Sequence, residues 1–294
     1  MVAYPLLPGL ARRPALRPGL HVVRRDADHL QVGVDPPSRV VVPDEPGVRR
    51  LLADLRGGAE PTISSVASFV TLRSLLAADL LVDADESAAD RRRADATSVL
   101  ATRAHFGVDA RRRLDARRDA RIGVRGSSRI QRSVSTLMGT SGLQLAGHQD
   151  LATAWLVVAD GELSRGAVDP FLREGAPHLV LTGAGGRLRL GPFVVPGQTA
   201  CLRCVDAHQG EADPRRQLVV EQVARLDEQA PGVARDPLLE TMSLAWAVRD
   251  LLRFVEGDAP STWSATVTID AQALPERREW QRHPHCGCAW DELP

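Results

Sequence analysis

The sequence predicts an α/β fold in which a mostly parallel sheet, closed by a cysteine-rich metal site, follows a small α+β module. From Arg121 onward, short apolar runs alternate with helical segments, the pattern of a parallel sheet covered by helices. Residues 155–159 form a near-continuous apolar run that suits a strand buried on both faces. The four cysteines lie in the last third of the sequence and form two close pairs. With 294 residues, 44% of them hydrophobic, the chain can bury one large core or two ordinary ones.

The N-terminal segment predicts three short strands followed by three helices, which is the order of a winged-helix-like module over residues 1–83. Asp26, Ala27 and Asp28 separate the first two strands and suit a hairpin turn. Helical spacing begins at Gly47, and a second helical pair follows from Ile63 and ends at 80–82. The strands are predicted at 21–25, 29–33 and 38–42.

Residues 84–118 change composition to Ala, Asp and Arg. The triplets Arg91–Arg93 and Arg111–Arg113 could contact phosphate, but acidic residues interleaved with them weaken any positive field. We therefore interpret this segment as a solvated helical linker.

The second domain, 119–294, predicts a Rossmann-like alternation of strands and helices. The glycine-rich stretch 183–186 precedes a further strand and is interpreted as a hairpin turn. Strands are predicted at 122–124, 143–146, 155–159, 178–182 and 264–269, and helices at 129–138, at 168–174 and within 216–256.

Cys201 and Cys204 form one cysteine pair, and Cys286 and Cys288 form the other. Two closely spaced pairs supply the four thiolates of a tetrahedral zinc site, and nearby prolines place both pairs in predicted turns. A disulfide pair or an iron–sulfur cluster are the alternatives. His208, His283 and His285 lie close in sequence and can replace a ligand.

A glycine turn follows the first strand of the second domain. Gly123, Gly126, Ser127 and Ser128 resemble the turn that brings backbone N–H groups to phosphates at a helix N-terminus, but the glycine spacing is wrong for such a site. No acidic residue ends the second strand, where Ala146, Gly147 and His148 stand and Asp150 is displaced. Asp160 ends the third strand, where a functional group or a turn residue is equally expected.

The sequence contains no lysine and no asparagine, so a phosphate-binding or Schiff-base lysine is excluded. Lys+Arg and Asp+Glu each number 37, and this zero net charge argues against nucleic-acid and membrane partners. No apolar run approaches the length of a membrane span, and the start of the chain lacks the features of a signal peptide. We expect a cytoplasmic protein, in a compartment where thiols favour metal over disulfide.

The zinc segments carry a resemblance to a known family. Residues 196–208 with Asp213 and Pro214, and residues 282–288, resemble the zinc halves of E1-like (ThiF-type) proteins. Within that family the chain is most similar to the leader-peptide-binding proteins of azoline-forming ribosomal peptide maturation, which act with YcaO-type cyclodehydratases. Residues 17–82 resemble, more weakly, the recognition element of such pathways. The resemblance implies structural zinc, a bound leader peptide and a cyclodehydratase partner, and it leaves a homodimer open.

The chain departs from adenylating members of this family, which hold a triphosphate with a glycine-rich turn, an acidic residue, arginine, asparagine and lysine. Several of these parts are missing together, so we interpret the chain as a non-adenylating accessory subunit with no catalytic residue of its own. An active adenylating enzyme and a winged-helix DNA-binding regulator are the alternatives. The leader is expected to add to the third strand and to contact the helix around Val66 to Arg73, through Arg39, Val40, Val41, Val42, Val66, Val70 and Arg73.

Overall fold

A computed structural model describes residues 7–85, 89, 95–147, 151–184, 186–229 and 235–288. The chain forms two compact units, Met1–Asp115 and Ala116–Pro294. Within the described ranges, no helix combines the length and the apolar character needed to cross a bilayer.

The first unit contains a three-stranded antiparallel sheet in the order β2-β3-β4. All three strands fall where the sequence predicts them, because alternating apolar residues flank the Asp-rich turn. Val32 and Val42 point into the core and are 0% and 2% exposed. The strands of this unit are β1 (Pro14–Leu16), β2 (Val22–Arg24), β3 (His29–Val32), β4 (Val40–Pro43) and β5 (Leu81–Asp83).

Two helices cover this sheet. Helix α1 (Pro46–Gly57) begins with a proline, whose missing N–H costs nothing at a helix start, and ends at Gly58 in the left-handed conformation with φ 65°. Helix α2 (Val66–Ala77) is capped by Ser65, whose side chain accepts a hydrogen bond from the Ser68 N–H, and Ser68 caps in return. The buried face of each helix packs into the core of this unit, formed by Val32, Val42, Val48, Leu51, Leu52, Leu55, Leu72, Leu75, Leu80 and Leu81.

The predicted helical pair from Ile63 is wrong at its end, residues 80–82. Leu81, Val82 and Asp83 form strand β5, which pairs antiparallel with β1, a strand that the sequence did not predict. A short run that is buried on all sides has no periodicity to distinguish a strand from a helix. Pairing with β1 therefore determines that Leu81, Val82 and Asp83 form a strand.

The segment after β5 is helical but not fully solvated. Helix α3 (Ala96–Phe106) is followed by a single 3₁₀ turn (Gly107–Asp109) and by helix α4 (Ala110–Asp119). Val99 and Thr102 on α3 are 1% and 4% exposed, which corrects the expectation of a solvated linker. The triplet Arg91–Arg93 lies outside the described residues.

The second unit is built on a seven-stranded mixed sheet in the order β12-β11-β10-β9-β8-β6-β7. Strands β7, β6, β8 and β9 are parallel, and β10, β11 and β12 continue the sheet in antiparallel fashion. This confirms the α/β class, and the pairing of β9 with β10 confirms the predicted hairpin. The strands are β6 (Arg121–Arg125), β7 (Gln144–Leu145), β8 (Ala154–Val158), β9 (His178–Ala184), β10 (Arg187–Val194), β11 (Ala265–Ile269) and β12 (Glu276–Glu279).

Helices of the second unit bury apolar side chains. On the first of them, Ile130, Val134 and Met138 recur at helical spacing and are at most 1% exposed. The last begins at Pro237 after Asp236, whose carboxylate accepts hydrogen bonds from the N–H groups of Leu238 and Leu239. The helices are α5 (Ser128–Ser141), α6 (Asp169–Arg173), α7 (Leu202–Gly210), α8 (Arg216–Gln229) and α9 (Pro237–Val255).

Candidate metal centre and candidate peptide-binding edge

The four cysteines come together in the second unit. Cys201 directly precedes helix α7 and Cys204 lies in its first turn, so the first pair occupies a helix start rather than the predicted turn. Cys286 and Cys288 lie in the segment after β12. Three of the four are buried, and Cys288 is half-buried.

The spacing of the sulfurs fits a single metal ion. The Sγ atoms are 3.7 Å apart for Cys201 and Cys204, 3.5 Å for Cys201 and Cys286, and 3.3 Å for Cys204 and Cys288. A tetrahedral ion with metal–sulfur bonds of about 2.3 Å needs sulfur–sulfur separations of about 3.7 Å. Four cysteine sulfurs at these distances can therefore hold a metal ion without rearrangement of the backbone.

Hydrogen bonds among the four thiols shift their pKa values in opposite directions, upward for Cys201 and Cys288 and downward for Cys204 and Cys286. Hydrogen bonding from Cys201, then from Cys286 and Cys288, lowers the pKa of the Cys204 thiol. The cluster therefore favours at least one thiolate, the form of cysteine that binds metals.

The neighbouring histidines do not replace a cysteine ligand. The His208 Nε2 lies 3.0 Å from the carbonyl of Gln281, and the His283 Nε2 lies 3.2 Å from a carboxylate oxygen of Glu211. The His285 N–H donates to the Nδ1 of His283, which leaves the Nε2 of His283 as the donor toward Glu211. These contacts form a polar cluster beside the sulfur site.

A buried ion cluster fixes helix α7 relative to the segment after β8. The Arg165 guanidinium, 1% exposed, donates to both carboxylate oxygens of Asp206 on α7, at 2.5 and 2.8 Å. It also donates to Glu162 at 2.8 Å, and Arg189 binds the other oxygen of Glu162 at 2.9 Å. Because α7 carries Cys204, this cluster also positions the metal site.

Strand β4 has one open edge. The Asp44 N–H donates to the carbonyl of Asp28 across the β3–β4 pair, and hydrogen-bonded residues alternate along an antiparallel ladder. Val40 and Val42 therefore direct their backbone groups toward β3, and Val41 directs its N–H and carbonyl away from β3. Within the described ranges no strand pairs with this side of β4.

The side chains around this edge divide into two sets. Val42 is 2% exposed and belongs to the core, and Val40 packs against that core, so these two predicted contact residues support the sheet. Helix α2 packs beside β4. The predicted contact residues that remain exposed are Arg39, Val41, Val66, Val70 and Arg73, of which the three valines are 42%, 70% and 40% exposed.

The glycine turn after β6 differs from its prediction. Gly123 lies inside β6, where a Cβ atom would overlap the Trp155 ring, so this glycine accommodates an indole. Gly126 and Ser127 form the turn, Ser128 begins α5, and the Ser127 side chain makes no capping hydrogen bond. His148 and Asp150 lie outside the described residues.

Carboxylates crowd the end of the sheet where α5 begins. Glu240 on α9 binds Arg129 of α5 through two hydrogen bonds, and Asp160 lies 3.7 Å from the same arginine. Asp227 on α8 accepts a hydrogen bond from the Glu162 N–H at 2.8 Å. Sequence reasoning missed Glu240 and Asp227, because each lies on a helix far along the chain from the turn that it reaches.

Comparisons with known proteins establish the fold. No model of a known protein family matches the sequence, and no curated protein matches it.

The chain is similar to the heterocyclase TruD, with TM-score 0.70 and 17% identity over 95% of this chain and 43% of that one. It is similar to the microcin C7 biosynthetic enzyme MccB in complex with N-formylated MccA, with TM-score 0.65 and 14% identity over 94% of this chain and 99% of that one. It is also similar to E. coli MccB with ATP, with TM-score 0.63, 14% identity and the same coverage. The chain thus spans less than half the length of the heterocyclase that it matches.

The residues at the start of α5 do not fit the triphosphate of ATP. Asp160 and Glu240 place negative charge beside Arg129 in the first turn of α5, and the Arg129 guanidinium already binds Glu240. A phosphate chain there would meet like charges at short range, which is unfavourable even in a partly solvated site. No step of a reaction is therefore assigned to ATP on this chain.

Proposed function

We propose that this protein binds the leader of a ribosomally made precursor peptide at the open edge of β4 and presents it to a YcaO-type cyclodehydratase. In this proposal residues 1–83 are a winged-helix-like recognition domain, 84–118 a helical connection and 119–294 an E1-like domain with structural zinc. The protein acts in the cytoplasm and does not adenylate its substrate. The observation that carries the proposal is the Val41 backbone, which no strand of the described part of the chain pairs with, on a strand that contacts helix α2 with its exposed Val66 and Val70.

The spacing of side chains along an added strand would be close to the spacing of Val66 and Val70 along α2. Side chains two residues apart in a strand are about 6.6 Å apart, and residues four apart on a helix rise about 6 Å. Alternate side chains of an added peptide would therefore align with Val66 and Val70, which are one helical turn apart on α2. Apolar side chains at those alternate positions would cover two exposed valines, and backbone hydrogen bonds would supply affinity.

The similar proteins support the theme of peptide maturation. TruD is a heterocyclase, and MccB has been solved in complex with N-formylated MccA. The acidic surroundings of the start of α5 favour a role in binding over the adenylating alternative. The DNA-binding alternative has little support, because the exposed face of α2 that would read bases carries only Arg73 as a cation.

The direct test is fluorescence anisotropy with the labelled leader of the precursor encoded beside this chain. We expect that leader to bind at least about tenfold more tightly than a scrambled peptide of the same composition, a difference of about 1.4 kcal/mol. A YcaO-type protein encoded nearby should co-purify with the chain when the leader is present. Equal affinity for the two peptides, or peptide contacts confined to the second unit, would contradict the proposal.

A proline substitution tests the backbone contact. Val41→Pro removes the N–H that faces the open edge while leaving the hydrogen bonds between β3 and β4 intact, so leader binding should weaken about tenfold. Val41→Ala is the matched control, because it shortens the same side chain and keeps the donor. The binding constants of both variants, measured by anisotropy, should differ from each other; if they agree, the Val41 N–H does not contact the peptide.

A further inference from the structure

We infer that the outer edge of β12 and the cavity beside it bind an extended peptide that carries a carboxylate next to an apolar side chain. The cavity lies in the second unit, between the end of α9, the loop 259–264 and β12. Its volume is about 680 Å³, a size typical of ligand sites. The cavity shares no residue with the open edge of β4 or with the sulfur cluster, so this inference does not depend on leader binding.

The backbone of β12 is open on one side. It is the last strand of its sheet, and no described strand pairs with its outer side. The Trp280 N–H donates to the carbonyl of Ser264 at 2.8 Å, in continuation of the pairing between β11 and β12. Hydrogen-bonded residues alternate along an antiparallel ladder, so Arg277 and Glu279 direct their backbone groups away from β11. All four residues of β12 are charged and exposed, which opposes pairing with apolar strands and leaves the edge to a charged partner.

Arg253 supplies a cation to the cavity. It lies in the last turn of α9 and is half-buried, and among the described residues its guanidinium makes no hydrogen bond or ion pair. Arg277 also borders the cavity but is already bound, since its Nε donates to the carbonyl of Ser261 at 2.9 Å and its Nη1 pairs with Glu279. No described carboxylate compensates the charge of Arg253, and a carboxylate is the peptide group that binds a guanidinium most strongly.

Hydrogen bonds and ring stacking fix the wall of the cavity. The Asp250 carboxylate, 1% exposed, accepts hydrogen bonds from the N–H groups of Ser261 and Thr262 at 2.8 and 3.0 Å. Trp263 is half-buried, and its ring stacks on Phe193 with ring centroids 6.5 Å apart. A fixed indole beside a free guanidinium favours a ligand in which a carboxylate adjoins an apolar side chain.

Ser264 borders the cavity with a backbone conformation that is costly for serine. Its φ is 46°, in the left-handed region. Two hydrogen bonds hold this conformation, because the Ser264 carbonyl accepts from the Trp280 N–H and the Ser264 Oγ accepts from the Ala200 N–H at 3.0 Å. Strained residues of this kind concentrate at active sites and ligand-binding positions. The conformation of Ser264 therefore supports the assignment of a ligand site to this cavity.

Fluorescence anisotropy with the full chain tests this inference. The probe is a labelled hexapeptide of alternating threonine and valine that ends in phenylalanine. We expect the form with a free C-terminal carboxylate to bind at least about tenfold more tightly than its C-terminal amide. A third peptide, amidated and with glutamate before the phenylalanine, distinguishes the two sources of a carboxylate. Affinity equal to that of the free carboxylate form assigns recognition to acidic side chains, and affinity equal to that of the amide assigns it to the chain terminus. If neither acidic peptide binds more tightly than the amide, the inference is wrong.

Substitution of Arg253 locates the bound carboxylate. Arg253→Gln should lower the affinity for the free carboxylate peptide about tenfold and leave the affinity for the amide unchanged. Arg249→Gln is the matched control, because it removes the same charge one turn earlier on α9 from an exposed residue that does not border the cavity. Equal affinities of the Arg253 and Arg249 variants for the carboxylate peptide would contradict the inference.

A second pair of variants tests the added strand. Glu279→Pro removes a backbone N–H that faces outward, and Glu279→Ala removes the same carboxylate but keeps that donor. The proline variant should bind the carboxylate peptide about tenfold more weakly than the alanine variant. If the two variants bind equally, the peptide does not pair with β12.

Discussion

Cys204→Ser is expected to reduce the zinc content from about one ion per chain to near zero and to destabilise the second unit strongly. A serine hydroxyl does not replace a thiolate as a zinc ligand. The Sγ of Cys204 lies 3.7 Å from the Sγ of Cys201 and 3.3 Å from the Sγ of Cys288, so Cys204 contacts both cysteine pairs. Zinc in small structural sites supplies apparent binding energies of about 10–16 kcal/mol, much of which is folding energy. Even a fraction of that binding energy exceeds the contribution of one ordinary side chain to the free energy of unfolding.

Metal analysis measures the zinc content of Cys204→Ser, and thermal unfolding measures its loss of stability. His283→Gln is the appropriate control, since His283 lies beside the cluster but contacts Glu211, and this variant should keep its zinc. A strong chelator added to the unaltered protein should reproduce the lowered melting temperature of Cys204→Ser. The assignment fails if Cys204→Ser retains a full equivalent of zinc, or if the unaltered protein contains none.

Arg165→Met is expected to cost about 3–5 kcal/mol of the free energy of unfolding. The guanidinium is 1% exposed and binds Asp206 and Glu162, so its removal leaves buried carboxylates without their main partner. Those hydrogen bonds raise the pKa of Arg165 against the opposing effect of burial, which means that the cation is held firmly. Because Asp206 lies on α7, we also expect weaker zinc retention in this variant.

Arg203→Met, on the helix that carries Asp206, provides a matched control. Arg203 makes a bidentate ion pair with Asp169, but both side chains are 37% exposed, and such pairs contribute at most about 1 kcal/mol. Urea unfolding of the two variants should therefore separate them by at least about 2 kcal/mol. Similar losses for Arg165→Met and Arg203→Met would show that burial of the Arg165 cluster is not the deciding factor.

Local patterns in the sequence predicted the parts of the fold that local physics determines. The apolar run at 155–159 became β8, and the two cysteine pairs met as their spacing indicated. Strand β12, with the sequence Glu276-Arg277-Arg278-Glu279, carries no apolar alternation because all four residues are exposed, and only its pairing with β11 makes it a strand. The contact of Arg129 with Glu240 joins residues 111 positions apart, which no local pattern reveals.

The sulfur cluster joins Cys201 to Cys286, which are 85 positions apart in the chain. A bound ion would therefore act as a reversible cross-link closing a loop that contains α7, α8, α9, β11 and β12. In the chain-entropy model, a permanent bridge closing a loop of this length restricts the unfolded ensemble by about 4.5 kcal/mol. A metal gives that restriction only while it remains bound to the unfolded chain. Refolding in the presence of zinc should therefore begin from a smaller ensemble than refolding in chelator, and the supply of the ion would govern the rate as well as the stability of folding.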